Sequence, residues 1–233
     1  MRILALETST ESGSCALWQE GETLAADCPA DAPHSETLLP LAQQLLAAAQ
    51  SGFAALDAIA FDMGPGMFTG LRVACGIAQG IAAALDKPVL PIGSLECMAH
   101  AAGGERVLSL LDARMGEVYA GAFQQTARDG PRTAGTIRLL RPEDLALPDD
   151  WPRTDAVRVV GNALLAYPQL AERFCLHRCL PRIRPHAKPL VELAALAFRR
   201  GEGQDPALAL PRYVRDKVAY TTAERAAARG HCA

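Results

Sequence analysis

From residue 73 to residue 85 the chain carries no charge for thirteen residues, and Gln79 is the only polar side chain among them. Set at 3.6 residues per turn, Leu71, Ala74, Ala78, Ile81 and Leu85 line one side of a helix expected over 68–85. Val73, Ile77 and Ala84 line another. A helix that is apolar all round needs cover all round. Gly76 and Gly80 stand one turn apart and form a groove that a second helix can approach closely, at a cost in helix propensity of about 1 kcal/mol each. Residues 35–50 behave similarly: Leu38, Leu41, Ala42, Leu45 and Ala49 form a stripe, and Leu39 and Leu46 sit off it. Two such helices carry more apolar surface than one sheet face hides, which points to burial against another chain. An interior helix between sheet and helix layers gives the same pattern, so both readings stand at this level.

Around these helices the pattern is mixed α/β. Strands are expected over 2–8, 14–18 and 23–28, joined by tight turns; then come the helix over 35–50, a buried strand over 56–63, the helix over 68–85, a strand over 89–92 and a helix from 94. Gly103-Gly104 breaks the chain, and a strand, a tight turn and a strand begin again at 106–123. Residues 126–135 read as a charged loop, 136–140 and 157–160 as strands, 187–200 as a helix, and the Ala/Arg-rich last ten residues as a fraying end. The expected lobes are 1–103 and 104–233, with the last segment packing back on the first lobe. At 233 residues, half of them apolar and 5% aromatic, the chain can bury a core built from Ala, Leu and Val. That excludes a collagen-like or disulfide-stapled chain.

Charge is divided unevenly. Residues 1–130 hold 15 acidic and 6 basic side chains, net −9, while 131–233 hold 11 and 17, net +6. The basic half is open to an anionic partner through residues such as Arg182 and Arg184, or is simply a solvated surface. Seven cysteines without a CxxC pair suit free thiols in a reducing compartment. The apolar start ends at Glu7, too early for a signal peptide, and no uncharged run reaches membrane-spanning length. A cytoplasmic location is expected.

The loops carry the candidate chemistry. Gly64-Pro65-Gly66-Met67-Phe68-Thr69-Gly70 joins a buried strand to the long helix, where free amides can receive an anion; Arg72 is the nearest cation, and no Walker lysine follows. Glu7-Thr8-Ser9-Thr10 offers a carboxylate and hydroxyls at a hairpin mouth. Glu7, Thr8, Ser9, Gly64, Gly66, Thr69 and Arg72 are therefore candidate nucleotide or phosphate contacts. Asp112, Arg114 and Glu117 form a polar cluster at the second hairpin, read as an ion-pair network or part of a cleft between lobes. Cys175, His177 and Cys179 lie within five residues, but cations flank them and a fourth ligand is missing, so no metal site is assigned.

Three segments together, Ile3-Leu4-Ala5-Leu6-Glu7-Thr8-Ser9-Thr10, Gly64 to Arg72, and Asp112-Ala113-Arg114-Met115-Gly116-Glu117-Val118-Tyr119, resemble the bacterial TsaB (YeaZ) family. The resemblance is specific over about residues 1–123, and Pro211-Arg212-Tyr213-Val214-Arg215 is similar to the family's closing segment. It implies an actin-like (ASKHA, Hsp70-like ATPase) fold of two RNase H-like lobes. It also implies a role in forming threonylcarbamoyladenosine at position 37 of tRNAs that read codons beginning with A. The family's protein is a non-catalytic partner of its paralogue TsaD, joined through the first helices; the ATPase TsaE joins the pair, and a TsaC-type enzyme supplies the adenylate.

On that basis Leu38, Leu41, Leu45, Leu71, Cys75 and Ala78 are the expected interface, self-pairing when TsaD is absent. Ala78→Arg is expected to abolish co-purification while leaving the circular dichroism unchanged. The paralogue's two metal-binding histidines fall here on Ser94 and Met98, poor replacements for imidazole. Glu7 stands where actin-like ATPases place Asp, and Met67 where the family often has Ser. Both departures weigh against independent nucleotide hydrolysis, so no cofactor of its own is expected; ATP or ADP with magnesium at a subunit interface is the exception left open. The rival readings are a small-molecule kinase or ATPase of the same fold and, more remotely, a peptidase.

Overall fold

The first strand alternates by face: Leu4 and Leu6 join one apolar cluster, Ile3 and Ala5 another, as a strand buried on both sides must. A computed structural model describes residues 1–126 and 130–215; residues 127–129 and the Ala/Arg-rich end lie outside the described residues. β1 (Arg2–Glu7), β2 (Ser14–Gln19) and β3 (Glu22–Asp27) form the antiparallel meander. α1 (His34–Ala48), β4 (Ala58–Gly64), α2 (Phe68–Leu85) and β5 (Val89–Gly93) follow, and the sheet order is β3-β2-β1-β4-β5, with β1, β4 and β5 parallel.

α1 and α2 cover the Leu4 face. The buried row of α2 is Gly70, Leu71, Ala74, Cys75, Ala78 and Ala82, and α1 contributes Leu38, Ala42, Leu45 and Leu46. This overturns the expected interface. Leu38, Leu45, Leu71, Cys75 and Ala78 are buried within the chain, and Leu41 is half-buried against the same cluster. The physical reason is side-chain size. Leu4, Leu6, Leu17, Ile59 and Phe61 already fill the sheet face, so the helix can seat only its small-residue row there, Ala74, Ala78 and Ala82. The bulkier Ile77 and Ile81 are left at the margin, half-buried. By length and composition α2 is long and apolar enough to cross a membrane, but its inward row packs on the sheet as a core helix does.

The second half is built on α3 (Ser94–Ala102), β6 (Arg106–Arg114), β7 (Glu117–Thr126), β8 (Gly130–Thr133), β9 (Arg138–Leu140), β10 (Val157–Val160), α4 (Ala163–Ala166), α5 (Pro168–Arg173), β11 (Arg178–Leu180) and α6 (Ala187–Arg199). Its sheet runs β11-β10-β6-β7-β8, with β9 pairing the far end of β7. β8 occupies part of the stretch expected to be a loop. α6 is apolar at 187, 190, 191, 194 and 197 and lays that stripe on the other face of the first sheet, against Ala5, Ala16, Ala58 and Ala60. The first lobe is thus closed by a helix from the second half.

Candidate functional site

Two features stand out, a cleft where the lobes meet and an apolar groove on the outside of α2. The cleft is a cavity of about 240 Å³, lined among others by Ser9, Gly66, Met67, Asp112, Asn162 and Tyr213. The chain turns into it after β1, where Ser9 N–H and Oγ–H both donate to Glu7 Oε1 at 2.6 Å. Thr8 Oγ1 donates to the Gly70 carbonyl at 2.7 Å, and Met67 N–H to the Ser9 carbonyl at 2.7 Å. The loops 8–10 and 64–70 are therefore bound to each other. Gly66 and Gly70 are required there, because an added Cβ would run into the backbone of Ser9 and Thr8 respectively.

This arrangement does not fit a nucleotide phosphate with magnesium. Glu7 has no exposure, its Oε1 already takes both donors of Ser9, and burial, with the Asp62 charge adding, pushes its carboxyl up to about 8. Thr8 and Ser9 use their hydroxyls internally. Gly64 N–H donates to Asp62 Oδ1 at 2.7 Å. Thr69 is exposed on the first turn of α2, and Arg72 lies over the Phe68 ring at 3.8 Å with Nε donating to Tyr213 Oη at 3.0 Å. Of the seven candidate contacts only Ser9 and Gly66 line the cleft.

Asp112, Arg114 and Glu117 do come together. Asp112 Oδ1 accepts from Arg114 N–H at 2.9 Å and from Tyr167 Oη at 3.0 Å, while Arg114 also pairs with Glu11 across the cleft. Glu117 binds Arg215 at 2.8 Å. The cluster is an ion-pair network that ties the lobes, and Arg184 adds a bond to Ser12 Oγ at 2.8 Å.

Residues 206–215 form a clasp on the first lobe, where the last segment was expected to pack but with contacts that the sequence did not specify. Gln79 Nε2 donates to the Pro206 and Ala209 carbonyls, both at 3.0 Å, and Cys75 Sγ to Ala209 at 3.5 Å. Arg212 N–H donates to Met63 O at 2.6 Å, and Arg215 reaches the second hairpin. Arg72, Cys75 and Gln79, at i, i+3 and i+7, form the face of α2 that holds this strap. Gln79, alone polar in its run, was the available signal.

The groove is lined by Leu39, Phe53, Ile77, Gly80, Ile81, Ala84 and Leu85 and measures about 370 Å³. Leu39, off the main stripe of α1, is 37% exposed. Among the described residues nothing lies within 4 Å of a Cβ built on Gly76 or Gly80. Gly76→Ala is therefore expected to stabilise the chain by about 1 kcal/mol through helix propensity, raising Tm by about 2–4 °C; a thermal melt measures it, and a lower Tm would mean that Gly76 is already in close contact.

The positions matched to the paralogue's histidines face inward. Ser94 Oγ donates to Asp62 Oδ1 at 2.6 Å, and Met98, on α3, lies in the core with Val107 and Leu111 of β6. Among the described residues no three His, Cys, Asp or Glu side chains are grouped to hold a metal.

Residues 29–146 match the family model described as TsaD, tRNA N6-adenosine threonylcarbamoyltransferase. The tRNA threonylcarbamoyladenosine biosynthesis protein TsaB of Escherichia coli is 34% identical over 94% of this chain and 97% of its own length. The protein of that name in Haemophilus influenzae is 35% identical over 94% and 96%. A solved Pseudomonas aeruginosa structure, described as an uncharacterized protein with similarity to peptidase YeaZ, superposes with a TM-score of 0.83 at 40% identity, covering 92% of this chain and 99% of that one. The two mixed sheets, their flanking helices and these matches together give an actin-like fold of two lobes, and the chain belongs to the TsaB family of tRNA threonylcarbamoyladenosine biosynthesis proteins.

Proposed function

We propose that the chain is a cytoplasmic, non-catalytic scaffold subunit of the assembly that forms threonylcarbamoyladenosine at position 37 of tRNAs reading ANN codons. It pairs with a TsaD-type transferase through the outward face of α1 and α2. TsaE joins that pair, a TsaC-type enzyme supplies the threonylcarbamoyl adenylate, and tRNA is met through the partner. The observation that carries this reading is the groove of Leu39, Ile77, Gly80, Ile81 and Ala84, apolar and left open by the described residues. Its fit to a TsaD-type partner is supported by kinship: the family model for that transferase matches residues 29–146, which include both helices. Two related lobes can pair with equivalent helices side by side, as isologous dimers do. In the absence of the partner, the groove pairs with a second copy.

Gly80→Arg tests the reading, because it places a charge in the groove while its Cβ meets no atom of the described residues. The variant is expected to lose co-purification with the transferase and to stop modification in a reconstituted reaction. By itself it should run as a monomer in light scattering where the parent runs as a dimer, with its circular dichroism kept. Persistence of the heterodimer would refute the assignment of this face.

A further inference from the structure

Glu7 ends β1 and Asp62 lies in β4, two parallel neighbours, and neither carboxyl has any exposure. Each is half satisfied. Glu7 Oε1 takes the two donors of Ser9, and Asp62 Oδ1 takes Gly64 N–H and Ser94 Oγ–H at 2.7 and 2.6 Å. Glu7 Oε2 and Asp62 Oδ2 are buried and receive no hydrogen bond from the described residues. Two carboxylate oxygens in that position repel each other, and their desolvation is uncompensated. One proton held between them removes a charge and satisfies both, since a protonated carboxyl donates.

We propose that Glu7 and Asp62 share a single proton, and that this proton pins the loops from which α2 and α3 start, so that the base of the cleft loosens as it is lost. The donors to the pair belong to those loops: Ser9 to the turn after β1, Gly64 to the turn before α2, Ser94 to the first residue of α3. Burial raises both carboxyls, Glu7 to about 8 and Asp62 to about 6, and the two titrate as a pair. The cation facing Glu7 is Arg184, from the segment before α6, and it opposes the shift. The thiols of Cys97 on α3 and Cys28 after β3 are pushed up by burial and feel Glu7 as well; both stay neutral over the range concerned.

The sign follows from linkage. A carboxyl whose folded value is raised binds more proton in the native state, so its contribution is complete below the ordinary carboxylate range and disappears as pH rises through about 8. Urea unfolding of the full chain from pH 4.5 to 9 is expected to show stability falling across that interval. Glu7→Gln, which keeps the shape and a donor toward Asp62, should flatten the fall and be more stable than the parent at the alkaline end. Glu96, also raised by burial, contributes a slope common to both proteins, which the difference removes. Exchange of the Ser9 and Gly64 amides should accelerate with pH more steeply in the parent than in the variant. Infrared spectra of the unaltered protein at neutral pH should show a protonated-carboxyl carbonyl band, which Asp62→Asn or Glu7→Gln abolishes. An unchanged slope in Glu7→Gln overturns the proposal. Should neither variant fold, absence of that band from the parent overturns it as well.

Discussion

Ala78→Arg is expected to yield no folded protein, in contrast to Gly80→Arg two residues along the same helix. Ala78 is 0% exposed, and it sits between Ala74 and Ala82 in the row that α2 presses on the first sheet. Arginine there brings an unpaired guanidinium into a close-packed layer, an effective cost of several kcal/mol, and overpacking adds about 1–3 kcal/mol. Together these consume most of the roughly 5–15 kcal/mol that holds a domain folded. Far-UV circular dichroism and soluble yield measure the outcome. A folded Ala78→Arg chain with parental melting would mean that this row of α2 is open to solvent. The family resemblance pointed the other way, to loss of the partner with the fold intact; burial of the row reverses that expectation.

How much of this was legible in residues differs by element, for physical reasons. The meander, both long helices and the strand that follows each were readable, because every one of them repeats an apolar residue at its own period. The same periodicity could not say which side of α2 faces the sheet. An apolar helix offers two candidate faces, and the choice is made by the volume left above Leu4, Leu17 and Phe61, a property of the partner layer. Leu71, Cys75 and Ala78 were expected to face a partner; in the fold they are buried, and Ile77 and Ile81 edge the groove. α6 was readable as an amphipathic helix, but its destination on the first sheet was not, since a stripe carries no address.

The cleft was read less well than the helices. Glu7, Thr8 and Ser9 are the residue types of a phosphate loop, yet their polar atoms bond to one another and to Gly70. That the last segment returns to the first lobe was expected, but its seat on α2 was not legible: the carbonyls of Pro206 and Ala209 and the N–H of Arg212 hold it, and main-chain groups leave no side-chain pattern. Only the polar cluster of the second hairpin combined residue type with location, because Asp112, Arg114 and Glu117 sit within one turn.

Gly70→Ala is expected to destabilise the chain by about 3 kcal/mol, even though alanine is the better helix former by about 1 kcal/mol. The position is helical and fully buried, and a Cβ there would overlap the carbonyl oxygen of Thr8. That oxygen belongs to backbone anchored directly after β1, so no rotamer change relieves the overlap. The first turn of α2 must move away from the loop, which breaks the bond from Thr8 Oγ1 to the Gly70 carbonyl and adds to the overpacking penalty. In a chain of this size that corresponds to a fall in Tm of about 6–12 °C, measurable in the melt that registers a rise for Gly76→Ala. The same substitution in the same helix thus carries opposite signs six residues apart. A neutral or stabilising Gly70→Ala would mean that the loop after β1 and the start of α2 are not in contact, and the inward direction of the Thr8 and Ser9 hydroxyls would fall with it.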